Sequence, residues 1–198
     1  MKRRETRVPS ILEFAHDLLR KSIQVGDVAI DATMGNGHDT LFLATLVGER
    51  GHVHAFDVQA AAIESTSALL RAHEIETERV TCHCKSHADV LDCLPERDLA
   101  RVRAVIFNLG YLPGGDKAIV TQPDSTLCAI ARIFEVLAPG AVIVLVVYPG
   151  HEAGEVEAQA VSQFVQKIER ERAQVVQYQI INSTKKPPFV LAIEKRAE

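Results

Sequence analysis

The chain of 198 residues lacks any segment that suggests a membrane-spanning or secreted protein. The apolar run at residues 141–147 is far shorter than the roughly 20 residues that a transmembrane helix needs, and no stretch resembles a signal peptide. Only four cysteines are present, which indicates reduced thiols rather than a disulfide framework. These absences predict a cytoplasmic protein that has no membrane partner.

An excess of positive charge is also missing. Lysine and arginine together number 22 and aspartate and glutamate 26, which gives a formal net charge of −4. Proteins that bind long nucleic-acid duplexes usually present a strongly basic face. Positive charge is concentrated locally at residues 1–7 and at Lys185 and Lys186. We therefore expect a nucleic-acid partner to be held over a small region.

Several catalytic and metal-binding motifs are absent as well. The chain has neither a P-loop nor a G-x-S-x-G elbow, so nucleotide triphosphatases and α/β-hydrolases lack support. Cys82, His83 and Cys84, with His87 nearby, suggest a zinc site at first sight. On a strand, however, the two cysteines face one side and His83 the other, and no second cysteine pair with ligand spacing follows. We predict no metal site.

What the sequence does contain is an alternation of short β-branched runs and longer helical stretches. This pattern predicts a mostly parallel sheet of seven strands with helices on both faces and an antiparallel closing strand. The length fits one domain over residues 1–198. Predicted strands cover residues 28–32, 53–57, 79–84, 102–109, 141–148, 174–182 and 189–194. Predicted helices cover residues 8–22, 39–47, 60–73, 123–137 and 155–172.

The first predicted strand runs into the glycine-containing loop DATMGNG, residues 31–37, which opens a helix. Gly35 and Gly37 permit positive φ and close approach of the backbone to a ligand, and free amides at the helix start suit a carboxylate or phosphate. Asp57 follows 20 residues after Gly37, where an acidic side chain suits the hydroxyls of a ribose. The loop therefore predicts a nucleoside-containing cofactor.

Two residues favour S-adenosylmethionine over a dinucleotide. Thr40 occupies the place of the third glycine of G-x-G-x-x-G. Asp31 would repel a pyrophosphate but matches the cationic sulfonium or ammonium group of S-adenosylmethionine. A nicotinamide-dependent oxidoreductase, a cofactor-binding module without catalysis and a glycine turn that only joins strand to helix remain as alternatives.

Other segments carry a resemblance to a known family. They are FNLGYLPGGDK at residues 107–117, YPGHEAG at 148–154, and Asn182 followed by PPFVLAIEK at 187–195. With the loop at 31–37, they resemble a bacterial family labelled rRNA methylases, whose characterised members resemble tRNA 5-aminomethyl-2-thiouridine methyltransferases. The likeness extends over residues 23–195. The intervening residues Ser183 to Lys186 depart from the family's pattern, which leaves the substrate range open.

The resemblance implies a class I, Rossmann-like methyltransferase that uses S-adenosylmethionine. The implied reaction methylates the exocyclic amine of 5-aminomethyl-2-thiouridine at the wobble position, so the partner would be the anticodon region of tRNA. Asp31, Gly35 and Gly37 are expected on the cofactor side from the loop itself. The resemblance adds Asn36, Asp39, Asp57, Gln59, Ser86 and His87 on the cofactor side. Substrate-side positions are Asn108, Tyr111, Asp116, Lys117, Tyr148, His151 and Asn182.

Methyl transfer to an amine requires a neutral nitrogen held in line with the methyl group. We predict that the Asn108 carbonyl orients the amine and that Tyr111 stacks on the base or bounds the methyl pocket. His151 ranks before Asp116 as proton acceptor because histidine titrates nearest neutral pH. For Asp116 and Lys117, a local ion pair is an equally good interpretation.

Two alternative acceptors remain open, namely rRNA and a small-molecule amine. If the basic residues line the same edge as the cofactor cleft, an RNA substrate is favoured. The sequence does not fix the oligomeric state, and a homodimer is compatible with it.

Overall fold

One mixed sheet of seven strands organises the described residues, which in this computed structural model are 7–112, 114, 119–183 and 185–197. The strand order is β3-β2-β1-β4-β5-β7-β6. Strands β1 to β5 pair in parallel, and β7 runs antiparallel to both β5 and β6. The predicted fold class is confirmed. The strands are β1 (Val28–Asp31), β2 (His52–Asp57), β3 (Val80–Cys84), β4 (Val102–Asn108), β5 (Val142–Val147), β6 (Ala173–Gln179) and β7 (Phe189–Lys195).

Helices cover both faces of the sheet and create two apolar cores. The β1 side chains divide between them, since Val28 and Ile30 belong to one core and Ala29 to the other. Burial on both faces explains the continuous apolar runs of the central strands. The helices are α1 (Ile11–Ser22), α2 (His38–Val47), α3 (Ala60–Ala72), α4 (Val90–Cys93), α5 (Glu96–Leu99), α6 (Pro123–Val136) and α7 (Glu152–Val165).

Helix α1 is anchored at its start and packs beside β5 and β7. Ser10 and Glu13 form a reciprocal capping box that satisfies backbone amides of the first turn. The Tyr178 hydroxyl of β6 donates to the Pro9 carbonyl oxygen over 2.7 Å, and the rings of Phe14 and Tyr178 stack with centroids 4.1 Å apart. The segment before β1 is therefore fastened to a strand near the other end of the sequence.

Four boundaries differ from the sequence prediction by three residues or more. Helix α1 begins at Ile11 rather than 8. Helix α7 begins at Glu152 rather than 155, because the His151 side chain accepts from the Gly154 amide and caps the first turn. The same helix ends at Val165, well before 172, and strand β6 ends at Gln179 rather than 182. The short helices α4 and α5 were not predicted. No helix within the described ranges is long and apolar enough to cross a membrane.

Candidate active site

A cavity of about 1230 Å³ opens at the carboxyl edge of the parallel strands, where α/β folds bind their ligands. Segments after β1, β2, β3, β4 and β5 all reach it, together with α1 and the loop before β7. Most of the predicted site residues lie in its wall. These are Gly35, Asn36, Asp39, Asp57, Gln59, Ser86, His87, Asn108, Tyr111, Tyr148 and His151.

Asp57 is held in a fixed orientation at the end of β2. Its Oδ2 accepts from the Gly35 amide at 3.1 Å, and its Oδ1 accepts from the Gln59 amide at 2.9 Å. Gly35 has φ +51°, the left-handed conformation that glycine adopts at little cost. Each carboxylate oxygen keeps a further lone pair, so Asp57 has the acceptor capacity that the predicted contact with two ribose hydroxyls requires.

Asp31 has a different role from the predicted one. Its side chain is fully buried and does not line the cavity. Its Oδ1 accepts from the Thr33 amide at 3.2 Å and its Oδ2 from the Thr40 hydroxyl at 2.6 Å. Asp31 therefore stabilises the conformation of the loop through buried hydrogen bonds. In the sequence, Thr40 was notable only because it replaces the third glycine of the dinucleotide-binding motif. In the structure, its hydroxyl is one of the two donors to Asp31.

Negative charge accumulates around this loop. Burial is the main cause that raises the pKa of Asp31 to about 7, and the nearby Asp39 and Asp57 carboxylates raise it further. A cluster that disfavours another negative charge favours a cationic ligand. The predicted match to a sulfonium or ammonium group thus belongs to the loop as a whole rather than to direct contact with Asp31.

Gly37 also lies outside the cavity lining, contrary to its predicted contact with the cofactor. It precedes α2 with φ +85°, and a Cβ at this position would lie 2.8–2.9 Å from Thr66. Only glycine satisfies both conditions. Gly37 is therefore required for the turn and for packing of the loop against α3.

Asn108 and Asp39 contact each other across the cavity wall. The side-chain nitrogen Nδ2 of Asn108 donates to Asp39 Oδ2 at 3.0 Å. The backbone N–H of Asn108 donates to the Thr33 hydroxyl at 2.6 Å. The other oxygen of Asp39, Oδ1, lies 2.7 Å from His16 Nε2. Since the nitrogen of the Asn108 side chain faces Asp39, its carbonyl oxygen remains as the acceptor that an amine requires.

His87 is fixed in the wall by hydrogen bonds at both ring nitrogens. Nδ1 lies 3.2 Å from the Ala32 carbonyl oxygen, and Nε2 lies 3.1 Å from the Ser125 hydroxyl. Burial lowers the pKa of His87, which favours the neutral ring with its proton on Nδ1. The neighbouring Ser86 uses its hydroxyl to accept from the Ala88 amide, so both side chains are held in fixed orientations in the wall.

A buried carboxylate on α7 supports the segment that follows β4. Glu157 accepts from the hydroxyls of Thr121 at 2.5 Å and Thr126 at 2.7 Å, and burial raises its pKa. Thr121 in turn accepts from the Gly110 amide at 3.0 Å. Glu157 thereby links α7 to both ends of the segment 110–121.

His151 cannot act as the predicted proton acceptor in this arrangement. Its Nδ1 accepts from the Gly154 amide at 3.0 Å, so the neutral ring carries its proton on Nε2. Within the described part of the chain, Nε2 is buried and has no hydrogen-bond partner. The Tyr111 and His151 rings lie 5.9 Å apart. The geometry makes His151 a hydrogen-bond donor beside Tyr111.

The remaining substrate-side predictions have mixed outcomes. Tyr148 lines the cavity, and burial together with the Asp39 carboxylate raises its pKa. Asn182 is exposed in the turn after β6 and does not line the cavity. Asp116 and Lys117 lie outside the described residues. Sequence analysis missed His16, Thr33 and Lys85, which do line it. Lys186, which was expected at this edge for an RNA substrate, lines it as well.

The position of His16 in the sequence explains why it was missed. His16 lies on α1, before the first strand, where the rule that ligands bind at strand ends gives no signal. Lys186 was noted only as part of a basic pair, and its pairing with Glu155 of α7 is a tertiary contact.

Among the described residues, no group of three or more histidine, cysteine, aspartate or glutamate side chains is arranged to hold a metal ion.

Comparison with known proteins assigns the chain to a family. Residues 53–194 match the family described as "Putative rRNA methylase". The chain belongs to this family. The matched region contains Asp57, Asn108 and His151 but leaves out the loop at 31–37 and all of α1, so the His16–Asp39 contact lies outside it.

Two curated relatives belong to different RNA-modifying classes. A chloroplastic tRNA (mnm(5)s(2)U34)-methyltransferase of Arabidopsis thaliana is 46% identical over 159 residues, covering 77% of this chain and 57% of that protein. Ribosomal RNA small subunit methyltransferase H of Nitrosomonas europaea is 31% identical over 103 residues, covering 52% and 30%. The chain thus spans well under two thirds of the curated relatives it matches.

Solved structures of the family cover nearly the whole chain. One, described as a "putative rRNA-methylase" from Clostridium thermocellum, is 36% identical with a TM-score of 0.91 and covers 96% of this chain and 100% of that one. Another, a "putative methyltransferase" from Streptococcus mutans in complex with SAH, is 36% identical with a TM-score of 0.85, covering 95% and 99%. More distant O-methyltransferases share the class I fold, for example TomG from Streptomyces achromogenes at 17% identity and a TM-score of 0.68.

Proposed function

We propose that this protein is an enzyme that transfers the methyl group of S-adenosylmethionine to the exocyclic amine of 5-aminomethyl-2-thiouridine at the wobble position of tRNA. The observation that carries the proposal is a single cavity that is lined by Asp57 on the cofactor side and by Asn108 on the substrate side. The identity of 46% to a tRNA (mnm(5)s(2)U34)-methyltransferase supports the same substrate. The product would be 5-methylaminomethyl-2-thiouridine.

The residues at the loop fit the proposed cofactor. Burial and, after it, the carboxylates of Asp39 and Asp57 raise the pKa of Asp31. Because these carboxylates repel further negative charge, a ligand with positive charge would be stabilised there. Asp57 would accept the ribose hydroxyls of the cofactor. Asn36 and Asp39, which also line the cavity, would face the amino-acid group of the cofactor. When bound, S-adenosylmethionine supplies an electrophilic methyl group. The relative solved in complex with SAH adds support.

The opposite wall is suited to an amine. The Asn108 carbonyl oxygen can accept one amine hydrogen, which orients the nitrogen lone pair. His151 Nε2 carries the proton of the neutral ring but is buried, so the ring forms part of the wall beside Tyr111 and does not accept a proton from the amine. Tyr111 is 42% exposed and offers its ring for stacking on that base.

Local positive charge favours RNA over a free amine. Lys85 and Lys186 line the cavity, and Lys185 is exposed next to Lys186. Lys85 directly follows β3, and Lys185 and Lys186 lie in the loop before β7, so positive charge lies on the cofactor edge, as expected for an RNA substrate. The enzyme is proposed to act in the cytoplasm, consistent with four cysteines that are free thiols in the structure.

The decisive experiment supplies S-adenosylmethionine with a labelled methyl group to three acceptors in parallel. They are tRNA that carries 5-aminomethyl-2-thiouridine, the same tRNA transcribed without modification, and 16S rRNA. We expect label only in the first, as 5-methylaminomethyl-2-thiouridine by mass spectrometry of the digested nucleosides. Label in rRNA alone would favour the second candidate, which the match to an rRNA small subunit methyltransferase keeps open.

A further inference from the structure

His16 reaches the cavity from α1, a helix that precedes the first strand. Its Nε2 lies 2.7 Å from Asp39 Oδ1, and Asp39 Oδ2 lies 3.0 Å from Asn108 Nδ2. All three side chains line the cavity. They form a continuous hydrogen-bonded chain that connects α1, α2 and the end of β4.

The direction of these hydrogen bonds follows from the chemistry of the central group. An ionised carboxylate only accepts, so both His16 Nε2 and Asn108 Nδ2 donate to Asp39. The contact with Asp39 therefore decides which end of the Asn108 amide is nitrogen and which is oxygen. If the carboxylate rotated, the amide would lose the partner that fixes its orientation.

The His16 ring is itself held in place. It stacks on Phe42 with ring centroids 4.0 Å apart and an interplanar angle of 14°, and its hydrogen bond to Asp39 is partly buried. A donor that is already restrained loses little conformational freedom when it binds its acceptor. The His16 ring is therefore already oriented to donate a hydrogen bond to Asp39.

We propose that His16 is a positioning residue for methyl transfer, which it serves by fixing Asp39 and, through Asp39, the amide of Asn108. The inference rests on the proposed function, because it assumes an amine acceptor at Asn108. In the reaction, the amine nitrogen forms a bond to the methyl carbon as the carbon–sulfur bond breaks, and the resulting ammonium releases a proton to water. The reaction needs the lone pair in line with the methyl group, which a misoriented Asn108 cannot ensure.

Two substitutions at one position separate the hydrogen bond from the ring. His16→Phe keeps the stacking on Phe42 but removes the donor, whereas His16→Gln restores a donor with a similar reach. On tRNA carrying 5-aminomethyl-2-thiouridine, we expect His16→Phe to lower kcat about tenfold or more, as for loss of a hydrogen bond to a charged group. His16→Gln should recover most of the rate. Because Asp39 also borders the place proposed for the amino-acid group, the Kd for S-adenosylmethionine should rise in His16→Phe, but by a clearly smaller factor than kcat falls.

A double-mutant cycle tests the connection to Asn108. If His16 acts through this amide, His16→Phe should have little further effect on kcat once Asn108→Ala is present. Independent, multiplying losses would overturn the proposal. So would a His16→Gln variant as slow as His16→Phe, or a loss of cofactor affinity that matches the loss of rate.

A spectroscopic measurement keeps this inference distinct from the proposed function. In two-dimensional ¹H–¹⁵N spectra of the protein, the Asn108 side-chain amide signals should shift in His16→Phe and return towards their original positions in His16→Gln. Unmoved signals in His16→Phe would refute the positioning role whatever the substrate. If the signals move but the unaltered protein methylates no such tRNA, the substrate assignment fails while the hydrogen-bonded chain stands.

Discussion

Three aspartates surround the cofactor loop, and each has a different environment. Asp57 accepts two backbone amides at the cavity wall, Asp39 joins His16 to Asn108, and Asp31 is buried under the loop. In the sequence, the three residues differ only in their position relative to the glycine-containing loop. Each carboxylate receives two donors, so their tasks differ through the groups that donate and through how deeply each carboxylate is buried.

Asp57→Ala should weaken binding of S-adenosylmethionine by about tenfold or more, because a charged acceptor for two ribose hydroxyls is lost. Isothermal titration calorimetry measures the change directly. Glu64→Gln, which removes an exposed carboxylate from α3, is the matched control and should bind normally. Equal affinities of Asp57→Ala and the unaltered protein would show that the ribose does not lie at the end of β2.

Asp31 should make the protein less stable as the pH rises. Its folded-state pKa of about 7 lies above the ordinary value of 3.8, so the folded state retains a proton that the unfolded chain releases. This contribution to the free energy of unfolding is complete below about pH 4 and disappears by about pH 7. We expect Asp31→Asn to remove this decline, as measured by urea unfolding between pH 4 and 8.

The comparison must be made between the two proteins rather than from one curve. Burial lowers the pKa of His54 to about 4, so His54 makes stability fall as the pH decreases from 6.5 to 4, opposite in sign to Asp31. His54 is common to both proteins, so its contribution cancels in the difference. A difference that does not vary with pH would mean that Asp31 is already ionised at pH 5.

At the scale of elements, the start of α7 shows how a helix end shapes the site. His151 caps the helix through Nδ1, and this contact determines that Nε2 is the donor. The sequence placed the helix start three residues later, because histidine is an unusual cap and Gly154 lowers helix propensity. Gly154 is needed because a Cβ there would overlap the Tyr148 carbonyl oxygen and approach His151 to 2.9 Å.

Gly154→Ala should therefore destabilise the protein, although alanine in place of glycine within a helix normally stabilises by about 1 kcal/mol. The clash should also displace His151 and reduce turnover. Gly150→Ala is the matched control, since its Cβ would meet no atom within 4 Å. Thermal unfolding of both variants tests the difference, and a higher melting temperature for Gly154→Ala would contradict the expected clash.

Elements buried on both faces were the most predictable. Strand β5 is buried throughout, and its apolar sequence gave its position to within one residue at each end. The short helices α4 and α5 have only four residues each, too few for an apolar period to be recognised. Helix α7 gives way to turns at residues 166–172, which the amphipathic pattern does not distinguish from a continued helix.

At the scale of the whole molecule, charge is arranged unevenly. The chain has a net charge of −4, yet Lys85 and Lys186 both lie in the cavity wall. Lys186 pairs with Glu155 of α7, so its charge is partly balanced before any ligand binds. The fold gathers these lysines from distant parts of the sequence, which explains why composition alone gave no sign of an RNA surface.

The Lys85→Ala, Lys186→Ala double variant should raise the KM for tRNA and make it less dependent on salt. Loss of two phosphate contacts to a single-stranded loop reduces the slope of log affinity against log salt by about 1.4. The Kd for S-adenosylmethionine should remain unchanged. Lys21→Ala with Lys167→Ala removes the same charge from exposed positions outside the cavity, and an equal effect there would indicate a purely global influence of charge.

The fastening of Pro9 to Tyr178 has a consequence for synthesis on the ribosome. Helix α1 carries His16 to the cavity, but it is held by a strand that is translated almost 170 residues later. Contacts of such long sequence separation form late in folding. A nascent chain that has already produced the cofactor loop should still lack a closed cavity until β6 emerges, so the proposed activity should appear only after β6 has been translated.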